Sequence, residues 1–127
     1  MILVDTFVLV AWLDKSHPQQ ARCRQAIYEA ARETLAVSSF TYAGLAAGGR
    51  TGEGVDEDFN DFERLDLDFA DAWRAGQAFR QKRGKVTDDP VLPDFLIRAQ
   101  ATTRNLPHLT NDRRRTGSFP DVDFLFV

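Results

Sequence analysis

The chain has 127 residues, 43% of them hydrophobic and 28% charged, and a formal net charge of −3. That length fits one domain, 1–127, able to bury a core, and the acidic balance argues against a general nucleic-acid coat protein, which would be basic. Cys23 is the only cysteine, so an intrachain disulfide is excluded, and with two histidines the chain holds too few Cys and His for a four-ligand structural zinc site.

No apolar stretch approaches the roughly 20 residues of a membrane span. Asp5 and Asp14 interrupt the apolar start, which lacks a basic leader. The expected location is the cytoplasm, with no membrane partner.

The first strand is expected over residues 2–5, an Ile/Leu/Val run ending in Asp5. A short apolar helix follows, from Phe7 to Leu13. Ser16-His17-Pro18 reads as a turn that caps a helix from about Pro18 to Glu33, with Ala21, Cys23 or Arg24, Ile27, Tyr28 and Ala31 at helical spacing. Leu35–Ser38 is a second strand. Ser39 or Thr41 is expected to cap a helix ending at Gly48-Gly49.

Thr51–Gly54 reads as a flexible loop. A helix from Val55 or Asp56 then carries Phe59 and Phe62 to the core. Arg64–Leu67 is a third strand. Asp68 is placed to cap a helix from Phe69 to Arg83, with Ala70, Trp73, Ala75 or Gly76 and Phe79 inward. A polar loop containing Asp88 and Asp89 leads to Pro93, which opens a helix with Asp94 in its first turn. Asn105 is the expected C-terminal cap. Leu106–Thr110 is a fourth strand, and Val122–Val127 closes the chain as a fifth.

Strands alternating with helices imply an α/β fold, a parallel sheet covered on both faces. In such sheets chemistry gathers at the carboxyl ends of the strands. Asp5 follows strand one, Asp112 follows strand four, and Asp94 starts the helix that feeds strand four. Each acid also has a structural role open to it: Asp5 as a helix cap, Asp94 against a helix dipole and Asp112 in a turn.

Four segments carry a resemblance. They are Met1–Thr6 with the apolar Val8–Leu13, Val37–Ala43, Leu92–Ala99, and Leu106–Asp112 with the following arginines and Phe119-Pro120. In this order and spacing they resemble the PIN domain, specifically VapC-type toxin ribonucleases of type II toxin–antitoxin systems. The resemblance covers nearly the whole chain. It implies a three-layer α/β/α sandwich with a central, mostly parallel sheet. It also implies Mg²⁺ or Mn²⁺ held by Asp5, Asp94 and Asp112, with Thr6 and Thr110 in support. The implied reaction is RNA hydrolysis to a 5′-phosphate and a 3′-hydroxyl, and the implied partners are a small antitoxin across the acidic groove and a second copy in a homodimer.

Two positions depart from that pattern. The family usually has Glu where this chain has Gly44, and Ser or Asn where it has Phe7. Losing one carboxylate weakens a divalent-cation site, and Glu to Gly and Ser to Phe are each within reach of one base substitution, as expected where an active toxin selects against itself. A catalytically degenerate PIN domain that binds antitoxin or RNA is therefore the competing class. Glu53, Asp56 and Glu57 are loop acids in reach of the missing position by sequence alone.

Arg113, Arg114 and Arg115 are candidate contacts to the phosphates flanking a cut. Arg80, Lys82, Arg83 and Lys85 form a second basic stretch. His17, His108, the two tryptophans and most of the ten Phe are expected to be structural. Two other phosphotransfer classes fit poorly. A dehalogenase-like site needs a second Asp where Phe7 stands, and a receiver domain needs an acceptor Asp after strand three with a later Lys.

Overall fold

In the computed structural model the described residues are 1–82, 92–114 and 116–127; the side chain of Lys82 is not described. Asp88, Asp89, Arg83, Lys85 and Arg115, all named above, lie outside the described residues.

Five short strands form one parallel sheet: β1 (Ile2–Val4), β2 (Leu35–Ser38), β3 (Glu63–Leu65), β4 (His108–Thr110) and β5 (Phe124–Phe126). Their order is β3-β2-β1-β4-β5, and every pairing is parallel. The helices are α1 (Thr6–Leu13), α2 (Gln20–Ala30), α3 (Ser39–Ala47), α4 (Gly52–Asp58), α5 (Phe69–Lys82) and α6 (Leu92–Thr103).

Strand alternation divides the core into two layers. Ile2, Val4, Leu35, Val37 and Leu109 face one side, where Val8, Leu9, Cys23, Ile27, Leu45, Val55 and Phe59 of α1–α4 and the α4–β3 connection pack on them. Leu3 and Ala36 face the other side, against Ala75 and Ala78 of α5, Phe95, Ile97 and Ala99 of α6, and Phe119 and Val122. The result is the three-layer α/β/α sandwich expected from the sequence. Phe59, Phe95 and Phe119 are its largest fully buried apolar side chains; truncating any of them to Ala costs about 3–5 kcal/mol.

The chain runs from β1 outward through β2 to β3, then returns to place β4 on the opposite side of β1. The order therefore reverses between β1 and β4, and a crevice opens at their carboxyl ends. That crevice positions the site.

Helix ends follow local chemistry. Ser38, rather than Ser39 or Thr41, caps α3, its Oγ accepting from the Phe40 N–H at 3.1 Å. Gly49 has φ +92°, and the bonds from its own N–H to the Ala46 carbonyl and from the Arg50 N–H to the Leu45 carbonyl close the helix as a Schellman turn. Asn105 (φ +53°) does the same for α6, with the Leu106 N–H reaching the Ala101 carbonyl at 2.9 Å. Asp68 and Asp71 cap the start of α5 reciprocally at 2.9 and 3.0 Å.

Several expectations shift. Thr51–Gly54 is the start of α4, because Thr51 Oγ1 accepts from the Gly54 N–H at 3.2 Å. The second helix begins at Gln20, not Pro18, with His17 Nδ1 accepting from the Gln19 N–H at 3.0 Å in the preceding turn. Its buried residues are Cys23 and Ile27, while Tyr28 is exposed. The buried side of α5 is Asp71, Ala75 and Ala78 with Phe79 half-buried; Ala70 and Trp73 point outward. Two polar anchors on the α6 side set this face: Thr103 Oγ1 donates to Asp71 Oδ1, and Arg104 Nη1 donates to the same oxygen at 2.6 Å.

Candidate functional site

Asp5 is the first residue past β1. Its backbone N–H donates to the Leu109 carbonyl at 2.8 Å, continuing the β1–β4 ladder by one step. Its side chain has two partners. The Thr6 N–H donates to Oδ1 at 3.0 Å, so Asp5 does cap α1, and Thr110 Oγ1 donates to Oδ2 at 2.8 Å. Thr110 is fully buried and also accepts from the Asp112 N–H at 3.1 Å. One hydroxyl thus ties both acids to the end of β4.

Thr6 bonds across the site to Thr41 of α3, Oγ1 to Oγ1 at 2.8 Å. Asp94 lies half-buried in the first turn of α6. Asp5, Thr6, Phe7, Asp94, Asn111, Asp112 and Arg114 line one open cavity of ≈ 520 Å³. All three acids expected from the sequence therefore share one address, with Thr6 beside them and Thr110 just beneath. Phe7 forms part of the wall, its ring edge-on to His17 with centroids 5.2 Å apart.

The arginines divide. Arg114 folds back on Asp112: Nε donates to Oδ1 at 3.0 Å and Nη2 to Oδ2 at 3.1 Å. Arg113 lies over the Phe126 ring, 4.1 Å from its centroid. The acids expected in a loop lie on α4 and do not replace the missing carboxylate: Asp56 pairs with Arg64 at 3.0 Å, and neither it, Glu53 nor Glu57 lines the cavity.

Two charged or titratable groups lie under the site: Arg98, which the sequence reading missed, and His108, which it expected to be structural. Arg98, one turn after Asp94, is only 2% exposed. Burial lowers its pKa, and attraction from Asp112, Asp5 and Asp94 opposes that shift; a guanidinium stays charged regardless. His108 on β4 sits with Nε2 4.0 Å from Asp5 Oδ1. Burial pushes its pKa down to about 4 against the pull of Asp5, so the ring is neutral at pH 7. Burial works to raise the Asp112 carboxyl, but the hydrogen bonds from Arg114 and the charges of Arg98 and Arg114 outweigh it and hold it below 3.8. The signal for Arg98 was present in the sequence as a lone charge inside the apolar run Phe95–Ala101.

Among the described residues no three His, Cys, Asp or Glu side chains stand close enough to enclose a metal ion. The donors instead fit a hydrated ion. Mg²⁺ takes one or two carboxylates and keeps several waters, and Asp5 and Asp94 face one cavity roomy enough for that shell.

The family model for the PIN domain matches residues 2–125. The chain belongs to the PIN-domain family. No curated protein matches it significantly. Among solved structures it is similar to VapBC2 from Rickettsia felis bound to a promoter DNA fragment, with TM-score 0.74 and 20% identity over 100% of this chain and 99% of that one. It is also similar to FitAcB from Neisseria gonorrhoeae, with TM-score 0.71 and 25% identity over 100% and 97%. A third is VapBC-1 from nontypeable Haemophilus influenzae, with TM-score 0.74 and 19% identity over 99% and 98%. This PIN domain thus shares its fold with those chains along their whole length. None of its described helices is long and apolar enough to cross a membrane.

Proposed function

We propose that this PIN domain is the toxin of a type II toxin–antitoxin pair, a metal-dependent endoribonuclease whose acid pocket is built on Asp5, Asp94 and Asp112. The observation that carries the reading is the convergence of the three acids on one cavity at the reversal of the sheet. Asp5 and Asp94 are the residues to hold Mg²⁺ or Mn²⁺, joined by Asp112 when Arg114 turns away. The ion, when bound, supplies an activated water and neutralises charge on the phosphate. The chain's own residues do the positioning. Thr110 orients Asp5, Thr6 and Thr41 brace the start of α1, and Arg114, on the cavity wall, with its neighbour Arg113 is the candidate contact to flanking phosphates.

The antitoxin reading draws on the complexes in which similar chains were solved. It is supported by an exposed aromatic pair on α5, Phe69 at 94% and Trp73 at 73% exposed, because aromatic residues are enriched where proteins dock. A homodimer, a cytoplasmic location and an RNA substrate complete the proposal.

A second reading has its own support. Gly44 leaves the pocket without a fourth carboxylate, and Arg114 covers both oxygens of Asp112. On that reading the domain binds antitoxin or RNA without cutting. An assay of RNA cleavage with Mn²⁺, comparing the natural chain with Asp5→Asn, separates the two. Cleavage that Asp5→Asn abolishes supports the ribonuclease. Absence of cleavage, with RNA or antitoxin still bound, supports the binding module.

A further inference from the structure

Arg98 is a buried cation placed among the acids of the site. Its Nη1 donates to the Arg114 carbonyl at 2.5 Å and its Nη2 to the Asp112 carbonyl at 3.2 Å, while Nη2 stands 3.5 Å from Asp112 Oδ2. The Phe124 ring closes another side, with Cζ 5.6 Å from its centroid. The fork therefore clamps the loop that carries Asp112 to the inner face of α6. Isolating such a charge in a core costs several kcal/mol unless it is paired and hydrogen-bonded, and both conditions are met here.

We propose that Arg98 is the resident counter-cation of the acid pocket and the positioning residue for the Asp112 loop, and that it sets how tightly the pocket takes a divalent ion. The inference rests on the reading that this pocket is a divalent-cation site. Three carboxylates face two arginines, Arg98 and Arg114, leaving a formal charge of −1 (three negative, two positive). Arg114 pairs with Asp112 from a side chain that is 53% exposed. Arg98 is held through backbone carbonyls and cannot leave. An incoming dication meets a fixed positive charge, so the pocket binds it weakly until a phosphodiester brings further negative charge. Ion and nucleic acid then bind together rather than in sequence.

The test is Mn²⁺ binding measured by calorimetry, without RNA, on the full chain and on Arg98→Gln, Arg98→Lys and Asp5→Asn. Thermal melting in EDTA reports folding. Removing one charge at this range strengthens dication binding roughly tenfold, so Arg98→Gln is expected to bind Mn²⁺ about tenfold tighter. Arg98→Lys keeps the charge and is expected to stay within about threefold of the natural chain. A folded Arg98→Gln that binds Mn²⁺ no tighter overturns the proposal. If Arg98→Gln does not fold, Arg98→Lys decides: a roughly tenfold gain in affinity with the charge retained overturns it. Asp5→Asn separates the two levels. If Mn²⁺ binding is unchanged by Asp5→Asn, the pocket reading itself fails; if it weakens while Arg98→Gln does not tighten, only the role of Arg98 fails.

Discussion

A Cβ on Gly44 would stand 3.7 Å from Thr6 Cγ2, in ordinary van der Waals contact and, among the described residues, with no other side chain within 4 Å. The bare side of α3 therefore faces the wall of the acid cavity, where the family pattern places a carboxylate. A glutamate there meets no obstacle to its first carbon. Gly44→Glu is expected to raise Mn²⁺ affinity and RNA cleavage by about tenfold or more. Gly44→Ala is the control: it stabilises α3 by roughly 0.5–1 kcal/mol and leaves cleavage unchanged. Melting curves and cleavage rates on the two variants check the separation.

Thr110 holds two acids through one hydroxyl. Thr110→Val keeps the shape but leaves a carboxylate oxygen and an amide without their partner, at a cost of roughly 2 kcal/mol. Thr110→Ser keeps the hydroxyl and loses only a methyl, about 0.8 kcal/mol. Cleavage is expected to fall at least tenfold in Val and less than about threefold in Ser, since small misplacements of a reacting group are costly. Similar rates in both variants would remove Thr110 from the site.

Asp71 ties α5 to α6 and sets the pH dependence of stability. Burial works to raise its carboxyl, but bonds from Arg104, Thr103 and the Asp68 N–H, with the Arg104 charge, hold it below 3.8. A depressed carboxylate adds stability above its unfolded value, and that contribution is lost as pH falls through the folded one. Asp71→Asn is expected to cost about 2–4 kcal/mol at pH 7, with the deficit shrinking as pH drops well below 3.8. Urea midpoints at pH 7 and near pH 3 measure it; an equal deficit at both would show that the charge contributes nothing.

The parts of the fold that were legible were those where one physical force acts alone. β1 and β2 are buried on both faces, so an unbroken apolar run marks them, and Asp5 stands out at the end of one. Gly49 and Asn105 end helices through φ values that few residues tolerate. The α5 face was read in part: Ala75 and Phe79 turn inward as expected, but Ala70 and Trp73 lie outward, while a charged residue, Asp71, is buried against Arg104. Thr51–Gly54 looked like a loop because two glycines hide a threonine cap. Arg98 escaped for a related reason: charged side chains are read as solvated, and only the folded site shows the acids that hold this one inside.

Arg113 and Arg114 follow the acid pocket on the β4–β5 connection. If they meet phosphates, the double variant Arg113→Ala/Arg114→Ala weakens RNA binding uniformly across sequences, and the slope of log K against log salt falls by about 1–2. Filter binding at several salt concentrations reads this directly. An unchanged slope would assign both arginines to the fold alone, Arg113 to Phe126 and Arg114 to Asp112.

The proposed ribonuclease stands on Asp5 as the anchor of its divalent-cation site. The most direct test is Mn²⁺-dependent cleavage of an unstructured RNA by Gly44→Glu compared with Gly44→Glu/Asp5→Asn. The first is expected to cut and to yield 5′-phosphate ends, and the second is expected not to cut. Equal cleavage by both, or none by either while both remain folded, would contradict it.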